Sequence, residues 1–240
     1  MNVNNSKRID RRWYGRRNNR KLTASRRQLI DELLPQFRVD PDAEISDLPA
    51  IFSSSIRDVW MEIGFGAGEH LVGQAGKYKE IGFLGCDPYI KGVASLLSQA
   101  NKQHLSNIKV FDDDVRLLTP NLPSASLGRI FLLYSDPWPK KRHHRRRITS
   151  ELNINEFARL LRLGGELRFA TDEIEFATWT LERMLRDPRF IWLARKSCDW
   201  QLPPADWVET RYEQKARARG VGSVYLNFLR AEKHGQLGTI

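Results

Sequence analysis

The sequence predicts an α/β fold, in which helices cover a doubly wound and mostly parallel sheet. Three observations support this prediction. From residue 59 onward, short apolar segments of strand length alternate with segments of helical periodicity. Turn signals such as Asp-Pro and paired glycines separate these segments. The 240 residues, 41% of them hydrophobic, are enough for one domain with a buried core.

The N-terminal part of the chain is expected to differ from the rest. Residues 1–28 contain ten Lys or Arg and a single acid, and they are predicted to form a basic, disordered arm. A helical pattern covers residues 25–34 and is expected to be ended by Pro35. Residues 29–240 are predicted to form a single domain, in which residues 38–57 serve as a connector.

The elements of this domain follow in regular order. Each predicted strand is a short apolar run, and each predicted helix has apolar residues on one face. The seven predicted strands cover residues 59–63, 81–86, 108–111, 129–134, 166–170, 190–195 and 223–229. The helices predicted between them cover residues 69–79, 90–103, 150–163 and 174–186, with Gly164-Gly165 ending the third.

The composition argues against several classes of protein. The chain has no apolar run of about 18 residues and no apolar segment near its start, so we expect neither a membrane-spanning helix nor a signal peptide and predict a cytoplasmic protein. Cys86 and Cys198 are too few for a disulfide framework and lack metal-ligand spacing, so they are predicted to be buried free thiols. His143 and His144 are adjacent and would point apart, so no metal is predicted.

A second basic block lies at residues 140–147, which contain six Lys or Arg and no acid. Outside the two basic blocks the chain is net acidic. Concentrated cationic blocks favour a polyphosphate partner such as a nucleic acid, because neutralising phosphates releases condensed counterions. A solvated tail and a solvated loop are the alternative explanation.

A glycine-rich turn, Glu62-Ile63-Gly64-Phe65-Gly66-Ala67-Gly68, follows the first predicted strand. In a doubly wound sheet, ligands bind beyond the carboxyl ends of the strands, where the strand order reverses. Glycines let a ligand approach the backbone, although such a turn also occurs simply for packing. The third glycine comes one residue too early for a dinucleotide site. The acid at position 62 disfavours a pyrophosphate and suits a cationic ligand, S-adenosylmethionine.

Acids also follow the later strands. Asp87 comes after the second strand, where an acid would accept hydrogen bonds from ribose hydroxyls, although Asp-Pro is also a plain turn signal. One of the three acids Asp112–Asp114 could reach an adenine, while the others could cap the next turn. Asp136 follows the fourth strand, at the position that faces the reacting group, and Asp172 follows the fifth.

Four motifs, in this order and at this spacing, resemble those of the bacterial tRNA (guanine-N(7)-)-methyltransferases, the TrmB family. They are Glu62-Ile-Gly-Phe-Gly-x-Gly, Asp136-Pro-Trp-Pro-Lys140, Ala170-Thr-Asp172 and Thr210-Arg-Tyr-Glu213. By itself, the last motif would be taken for a solvated segment. The chain departs from the family at Ser135, Pro139 and Tyr212, where Pro, His and Phe are common, and it keeps the carboxylates and Lys140.

The resemblance implies a class I, Rossmann-like methyltransferase that transfers a methyl group from S-adenosyl-L-methionine to N7 of guanine at position 46 in the tRNA variable loop. It implies no metal and no obligate protein partner. Asp113 is chosen over Asp112 and Asp114 by the number of residues that separate it from Asp136 in the sequence. The implied cofactor-binding residues are Glu62, Gly64, Gly66, Asp87, Asp113 and Asp136. The implied substrate-binding residues are Lys140, Asp172, Thr210, Arg211, Tyr212 and Glu213.

The chemistry of guanine suggests the roles of these groups. N7 carries a lone pair and no proton, so a general base is unnecessary and positioning is the main requirement. Asp136 is predicted to be the catalytic residue, stabilising the positive charge that develops on the purine. We expect residues 140–147, Arg211 and the N-terminal arm to hold the tRNA backbone. A methyltransferase with another acceptor and a non-catalytic RNA-binding protein are the alternatives.

Overall fold

The computed structural model describes residues 22–53 and 55–232, in which strands and helices alternate. The strands are β1 (Asp58–Ile63), β2 (Ile81–Cys86), β3 (Ile108–Phe111), β4 (Leu127–Leu133), β5 (Leu161–Thr171), β6 (Phe190–Trp192) and β7 (Val224–Arg230). The helices are α1 (Ala24–Phe37), α2 (Glu69–Lys77), α3 (Ile90–Lys102), α4 (Val115–Leu118), α5 (Glu151–Leu160), α6 (Ile174–Arg186), α7 (Cys198–Gln201) and α8 (Arg211–Ala218). Short 3₁₀ segments lie at Pro49–Ile51, Thr119–Asn121 and Lys141–Arg146.

These seven strands form one sheet in the order β3-β2-β1-β4-β5-β7-β6. β1 pairs in parallel with β2 and β4, and the outer pairs β2–β3 and β4–β5 are parallel as well. β7 is antiparallel to both of its neighbours, β5 and β6. The predicted α/β fold with a seven-stranded, mostly parallel sheet is confirmed. The chain order reverses between β1 and β4, and a ligand site is expected at the carboxyl ends of these two strands.

Successive strand residues bury apolar side chains on opposite faces of the sheet. On one face, Met61 belongs to a core cluster with Phe157 of α5 and Phe176 of α6. On the other face, Phe83 belongs to a cluster with Leu71 of α2 and with residues of α1 and α3. Helices therefore cover both faces, as predicted. Within the described residues, none of the helices is long and apolar enough to cross a membrane.

The first helix is longer than predicted. α1 continues through Pro35 to Phe37, so the prediction that Pro35 ends it is wrong. Proline in the last turn removes one hydrogen-bond donor, but the turn is closed by the Arg38 N–H, which donates to the Leu34 carbonyl at 2.8 Å. α1 begins at Ala24 and so includes part of the region predicted to be an arm, whereas residues 1–21 of that arm lie outside the described residues.

The connection between α5 and β5 also differs from the prediction. α5 ends at Leu160 and β5 starts at the next residue, so Gly164-Gly165 interrupts a strand instead of ending a helix. The pairing of β5 with β4 shifts its register at this point. Gly164 has φ +76°, and a Cβ on Gly165 would lie 2.9 Å from the Arg162 carbonyl oxygen. The two glycines therefore permit a bulge where other residues would clash.

Candidate active site

The turn between β1 and α2 lies at the base of the candidate site. Gly64 has φ +78° and Gly66 has φ +58°, conformations that favour glycine. The Gly64 N–H donates to the Cys86 carbonyl at 2.8 Å, which joins the turn to the end of β2. A Cβ built on Gly64 would have no atom within 4 Å, so it would point into open space. The backbone here leaves room for a ligand.

Asp87 follows β2 and is buried beside this turn. Its Oδ2 accepts a hydrogen bond from the Gly66 N–H at 2.8 Å, and its Oδ1 accepts one from the Tyr89 N–H at 2.8 Å. Burial raises the pKa of Asp87 to about 6. The two backbone hydrogen bonds oppose this shift, and the charges of Glu62 and Asp136 add to it. The carboxyl group therefore fixes the turn and belongs to a cluster of acids.

Glu62 lies near the end of β1, with a side chain that is only 4% exposed. Its Oε2 lies 2.7 Å from Nδ1 of His70 in α2. His70 is itself 1% exposed, and its Nε2 lies 3.3 Å from Nε2 of Gln74. His70 thus lets α2 orient the Glu62 carboxylate. The sequence predictions do not include His70, because a single histidine near the start of a helix gives no signal of its own.

The three acids after β3 have different partners. Asp112 forms an ion pair with Arg38, with 2.9 Å between Oδ1 and Nε. Asp114 caps α4, where its Oδ1 accepts a hydrogen bond from the Arg116 N–H at 3.0 Å. Asp113 is half-buried, and its Oδ1 accepts a hydrogen bond from the Asp114 N–H at 2.8 Å. The expectation that some of these acids cap the following turn is confirmed for Asp114.

Asp136 is exposed in the loop that follows β4. Burial is the main cause of the raised pKa values of Asp87 and Tyr212, and the negative charge of Asp136 contributes to both. Asp136 therefore lies near both residues. Two other residues of this loop have left-handed backbone conformations, Tyr134 with φ +51° and Trp138 with φ +45°. Such conformations cost about 1–3 kcal/mol each in residues other than glycine, so surrounding contacts must enforce them.

The basic loop continues as the 3₁₀ segment Lys141–Arg146. The guanidinium of Arg146 lies 5.0 Å from the centre of the Trp138 ring, and the His143 ring packs on the same tryptophan. The exposed cations of this loop are Lys140, Lys141, Arg142 and Arg145.

Arg147 differs from the other cations of the loop. Its side chain is fully buried. Nη2 lies 2.5 Å from Oε2 of Glu175, and Nε donates to the Pro137 carbonyl at 2.7 Å. The expectation that the whole basic run holds the tRNA backbone is therefore wrong for Arg147, because a buried guanidinium cannot reach a phosphate in solvent.

Thr210 and Glu213 fix the start of α8. The Thr210 Oγ1 accepts a hydrogen bond from the Glu213 N–H at 3.2 Å, and Glu213 reaches back to the Thr210 N–H, so the two form a capping box. Glu213 is 3% exposed. One of its oxygens accepts from the Trp207 indole N–H at 2.7 Å, and the other accepts from the Tyr225 hydroxyl. Both carboxylate oxygens of Glu213 thus accept hydrogen bonds from the protein.

The other two residues of this motif reach the glycine-rich turn. Cε2 of Tyr212 lies 3.6 Å from the position that a Cβ on Gly66 would take, and the Tyr212 side chain is 60% exposed. Arg211 forms an ion pair with Glu69, with 2.8 Å between Nε and Oε1. α8 therefore covers one side of the turn.

An ion-pair network attaches the segment before α8 to the sheet. Asp206 bridges two strands, with Oδ2 3.0 Å from Nη1 of Arg129 and Oδ1 2.6 Å from Nη1 of Arg168. The Arg129 guanidinium also lies 3.9 Å from the centre of the Trp60 ring. Burial alone would raise the pKa of Asp206, but the hydrogen bond and charge of Arg168, with the charge of Arg129, bring it below its ordinary value. The sequence predictions miss this network.

Asp172, after β5, also contacts the region of α8. Its Oδ2 lies 3.1 Å from Nη2 of Arg219, the residue that follows the helix. In the part of the chain that the structure describes, no group of three or more His, Cys, Asp or Glu side chains is placed to hold a metal ion.

Comparisons with known proteins identify the family. A family model described as a putative methyltransferase matches residues 57–226. The tRNA (guanine-N(7)-)-methyltransferase of Rhodospirillum rubrum is 42% identical over 235 residues, which cover 96% of this chain and 92% of that protein. The enzyme of the same name from Agrobacterium fabrum is 40% identical and covers 91% of this chain and 94% of its own length. The chain belongs to the tRNA (guanine-N(7)-)-methyltransferase family.

Solved structures agree with a methyltransferase fold. The 16S rRNA (adenine(1408)-N(1))-methyltransferase from Catenulisporales acidiphilia matches with a TM-score of 0.53 at 13% identity, covering 82% of this chain and 95% of that one. The 16S rRNA methyltransferase KamB matches with a TM-score of 0.53 at 15% identity, covering 75% of this chain and 95% of that one. At such low identity these matches show the fold alone. The family model and the curated relatives confirm the resemblance found in the sequence and show that the chain is a methyltransferase.

The predicted site residues of this tRNA (guanine-N(7)-)-methyltransferase family member fall into two groups. Those at the turn and the ends of the strands lie on one edge of the sheet, and Tyr212 and Arg211 lie beside them. Lys140 is exposed at the start of the basic loop. Thr210 and Glu213 instead contact other protein groups and hold α8, and their role in substrate binding stays a prediction.

Proposed function

We propose that the protein transfers a methyl group from S-adenosyl-L-methionine to N7 of guanine 46 in the tRNA variable loop. The observation that supports this most is the cluster of carboxyl groups of Glu62, Asp87 and Asp136 around the glycine-rich turn, at the point where the strand order reverses. Acids at this point suit a cationic ligand and disfavour a dinucleotide phosphate. The family of the chain, the exposed cations after β4 and the basic composition of residues 1–28 fit a tRNA substrate.

The residues at the turn fit S-adenosylmethionine. Bound there, this cofactor would supply an electrophilic methyl group attached to a positively charged sulfur. Gly64 borders open space on the ligand side of the turn, and an alanine methyl group would occupy part of it. Asp87 and Asp113 follow neighbouring strands and have oxygen atoms that could accept hydrogen bonds from ribose and adenine. Glu62, Gly64, Gly66, Asp87 and Asp113 would therefore hold the cofactor.

The acceptor atom requires no deprotonation, since N7 of guanine already carries a lone pair. The protein must hold the base in line with the methyl group and exclude water. Asp136 lies near Asp87 and Tyr212 and is accessible from solvent, so a splayed-out base can reach it. Methylation of N7 makes the purine positive, and a fixed carboxylate stabilises that charge as it develops. We assign this role to Asp136.

A carboxylate would also select guanine over adenine. The Watson–Crick edge of guanine presents two adjacent N–H donors, which one carboxylate can accept as a pair, whereas adenine presents one donor and one acceptor there. Asp136 and Asp172 are the candidates. In the structure Asp172 is paired with the guanidinium of Arg219, which presents N–H donors of the same kind.

The tRNA backbone would be held by exposed cations. The candidates are the exposed side chains of Lys140, Lys141, Arg142 and Arg145 after β4, and that of Arg211 at the start of α8. The basic residues 1–28 would add further phosphate contacts.

Methyl transfer to an unmodified tRNA transcript tests the proposal. The transcript is incubated with S-adenosylmethionine and the protein, digested to nucleosides and analysed for 7-methylguanosine. A matched transcript with adenine at position 46 controls for the site. We expect 7-methylguanosine from the first transcript and none from the second. A different methylated nucleoside, or a product from both transcripts, would overturn the assignment.

A further inference from the structure

We propose that Arg147 is a positioning residue, which holds the loop Asp136-Pro137-Trp138 in the conformation that presents Asp136 to the substrate. This inference rests on the proposed function, because it takes Asp136 to be the residue that acts on guanine. It also assigns Arg147 a role distinct from that of the exposed cations next to it.

The contacts of Arg147 join the loop to the helix after the next strand. Nε donates to the Pro137 carbonyl at 2.7 Å, and Nη2 lies 3.5 Å from the Trp138 carbonyl. Nη1 and Nη2 donate to the two carboxylate oxygens of Glu175 at 3.2 and 2.5 Å. The same guanidinium thus binds two consecutive loop carbonyls and one carboxylate of α6.

Aromatic rings next to Arg147 provide stacking surfaces for its guanidinium. Its carbon Cζ lies 5.1 Å from the centre of the Phe176 ring and 4.9 Å from that of Trp179. The Cζ atom of Arg183 also lies over Trp179, 3.5 Å from the centre of its ring. A planar group with five N–H donors can stack on these rings and bind the loop and Glu175 together, which the single ammonium of lysine cannot do. The Arg147 hydrogen bonds also keep the pKa of Glu175 below its ordinary value.

The loop needs an external partner of this kind. Pro137 and Pro139 have no backbone N–H, so the loop has few donors for hydrogen bonds within itself. Trp138 has φ +45°, which a tryptophan adopts only when contacts hold it there. The bonds of Arg147 to the carbonyls of Pro137 and Trp138 fix the orientation of the Pro137–Trp138 peptide and of the peptide after it. Only Pro137, whose φ is fixed by its ring, separates the Pro137–Trp138 peptide from Asp136, so the orientation of that peptide limits the directions in which the carboxylate can point.

Arg147 also couples the two carboxylates proposed to bind guanine. Asp136 precedes the carbonyls that Arg147 binds, and Asp172 lies two residues before the start of α6, which carries Glu175 and Phe176. Arg147 therefore fixes the end of β4 relative to the end of β5. Without it we expect the two carboxylates to lose their common geometry, although each would still be present.

The substitutions R147M and R145M provide a matched test. Both remove one positive charge, but Arg145 is exposed and Arg147 is buried. The measurements are the single-turnover rate with saturating tRNA and S-adenosylmethionine, the Kd for tRNA, and the dependence of that Kd on salt. R147M is expected to lower the rate by about tenfold or more, with Kd and salt slope close to those of the wild type. R145M is expected to weaken tRNA binding and reduce the slope by about 0.7–0.9.

Two further variants keep the test decisive if R147M does not fold. R147K keeps the charge and most of the stem, and E175A removes a carboxylate whose side chain is 59% exposed. Thermal melting and the stoichiometry of S-adenosylmethionine binding establish that each variant is folded. Both are expected to bind tRNA normally and to react more slowly than the wild type.

The results separate this inference from the proposed function. Wild-type rates for R147K and E175A, or a loss of salt slope in R147M equal to that in R145M, would overturn the positioning role of Arg147. Failure of the wild-type protein to form 7-methylguanosine would instead overturn the proposed function.

Discussion

Asp87 accepts a hydrogen bond from the backbone N–H of Gly66 at 2.8 Å, so the end of β2 holds the turn that follows β1. The carboxyl group that makes this bond is buried near Glu62 and Asp136, and burial raises its pKa to about 6. The group that shapes the proposed cofactor site therefore has a pKa of about 6, well above that of an ordinary aspartate.

The first prediction concerns the pH dependence of cofactor binding. A positively charged ligand favours the ionised form of Asp87, so S-adenosylmethionine is expected to bind more weakly as the pH falls below about 6. Isothermal titration calorimetry in buffers of different ionisation enthalpy should show that the protein releases protons when it binds S-adenosylmethionine near this pH. The variant D87N should bind more weakly at pH 8 and lose the dependence near pH 6. An unchanged Kd between pH 8 and pH 5 in the wild type would contradict the prediction.

The pH dependence of folding stability is opposite in direction to that of cofactor binding. The folded-state pKa of about 6 lies above the ordinary value of 3.8, so the folded protein holds this proton more tightly than the unfolded chain. The contribution of Asp87 to the free energy of unfolding of the ligand-free protein is therefore greatest below about pH 4 and is lost as the pH rises through about 6.

The second prediction concerns Gly64. The substitution G64A forces an alanine to φ +78° and is expected to lower the free energy of unfolding by about 1 kcal/mol. Its methyl group would also enter the open space of the proposed cofactor site, so the Kd for S-adenosylmethionine should rise at least about tenfold. G164A is the matched control, because Gly164 has φ +76° and an equally open surrounding but lies in the β5 bulge. Equal effects of the two substitutions on cofactor binding would argue against the site.

The third prediction concerns Asp136. The substitution D136A should abolish measurable formation of 7-methylguanosine, with a loss of rate of about 100-fold or more, because it removes the carboxylate proposed to stabilise the developing charge. The exposed position of Asp136 implies that the melting temperature changes little. D31A, which removes an exposed acid from α1, serves as the control. Near-normal turnover by D136A would exclude it as the catalytic residue.

The fourth prediction concerns the network that attaches the segment before α8. The substitution D206A leaves the largely buried Arg129 and Arg168 without this carboxylate and should lower the free energy of unfolding by about 2 kcal/mol. R217A is the control, because Arg217 pairs with Glu209 at the surface and its loss should cost less than about 0.5 kcal/mol. Urea denaturation measures both values. If the two variants are equally stable, Asp206 does not anchor the segment.

The fifth prediction concerns the basic arm. Deletion of residues 1–20 should weaken tRNA binding and flatten its dependence on salt, since each lost phosphate contact lowers the slope of log K against log salt by about 0.7–0.9. Binding of S-adenosylmethionine should be unaffected. A truncated protein with the wild-type slope would show that the arm does not contact phosphates.

Much of the fold follows from local sequence patterns. The strands β2 and β3 and the helix α6 have the predicted bounds, because their apolar runs are bounded by clear turn signals. Gly164-Gly165 was misleading because a pair of glycines permits a strand bulge as readily as it ends a helix. α8 has alternating charges and no broad apolar face, and its position depends on Trp207 and Tyr225, which no local pattern links to it.

The residues of the candidate site also divide into those that the sequence predicts and those that it does not. Carboxylates that follow parallel strands can be placed at one edge of the sheet from sequence alone, as for Glu62, Asp87 and Asp136. His70 and Asp206 could not be found in this way, because their partners are known only once helices and strands are packed. Charge alone also cannot separate Arg147 from its neighbours in the basic run, because burial is a property of the folded chain.

The position of β7 between β5 and β6 has a consequence for synthesis of the enzyme. A growing chain that ends before Val224 leaves one edge of β5 unpaired, and it lacks the Tyr225 hydroxyl that binds Glu213 in α8. The side of the sheet that carries the proposed cofactor site is built from earlier residues and can form first, whereas the helix beside it is secured only later. We therefore expect a nascent chain on the ribosome to be inactive toward tRNA until residue 230 has emerged.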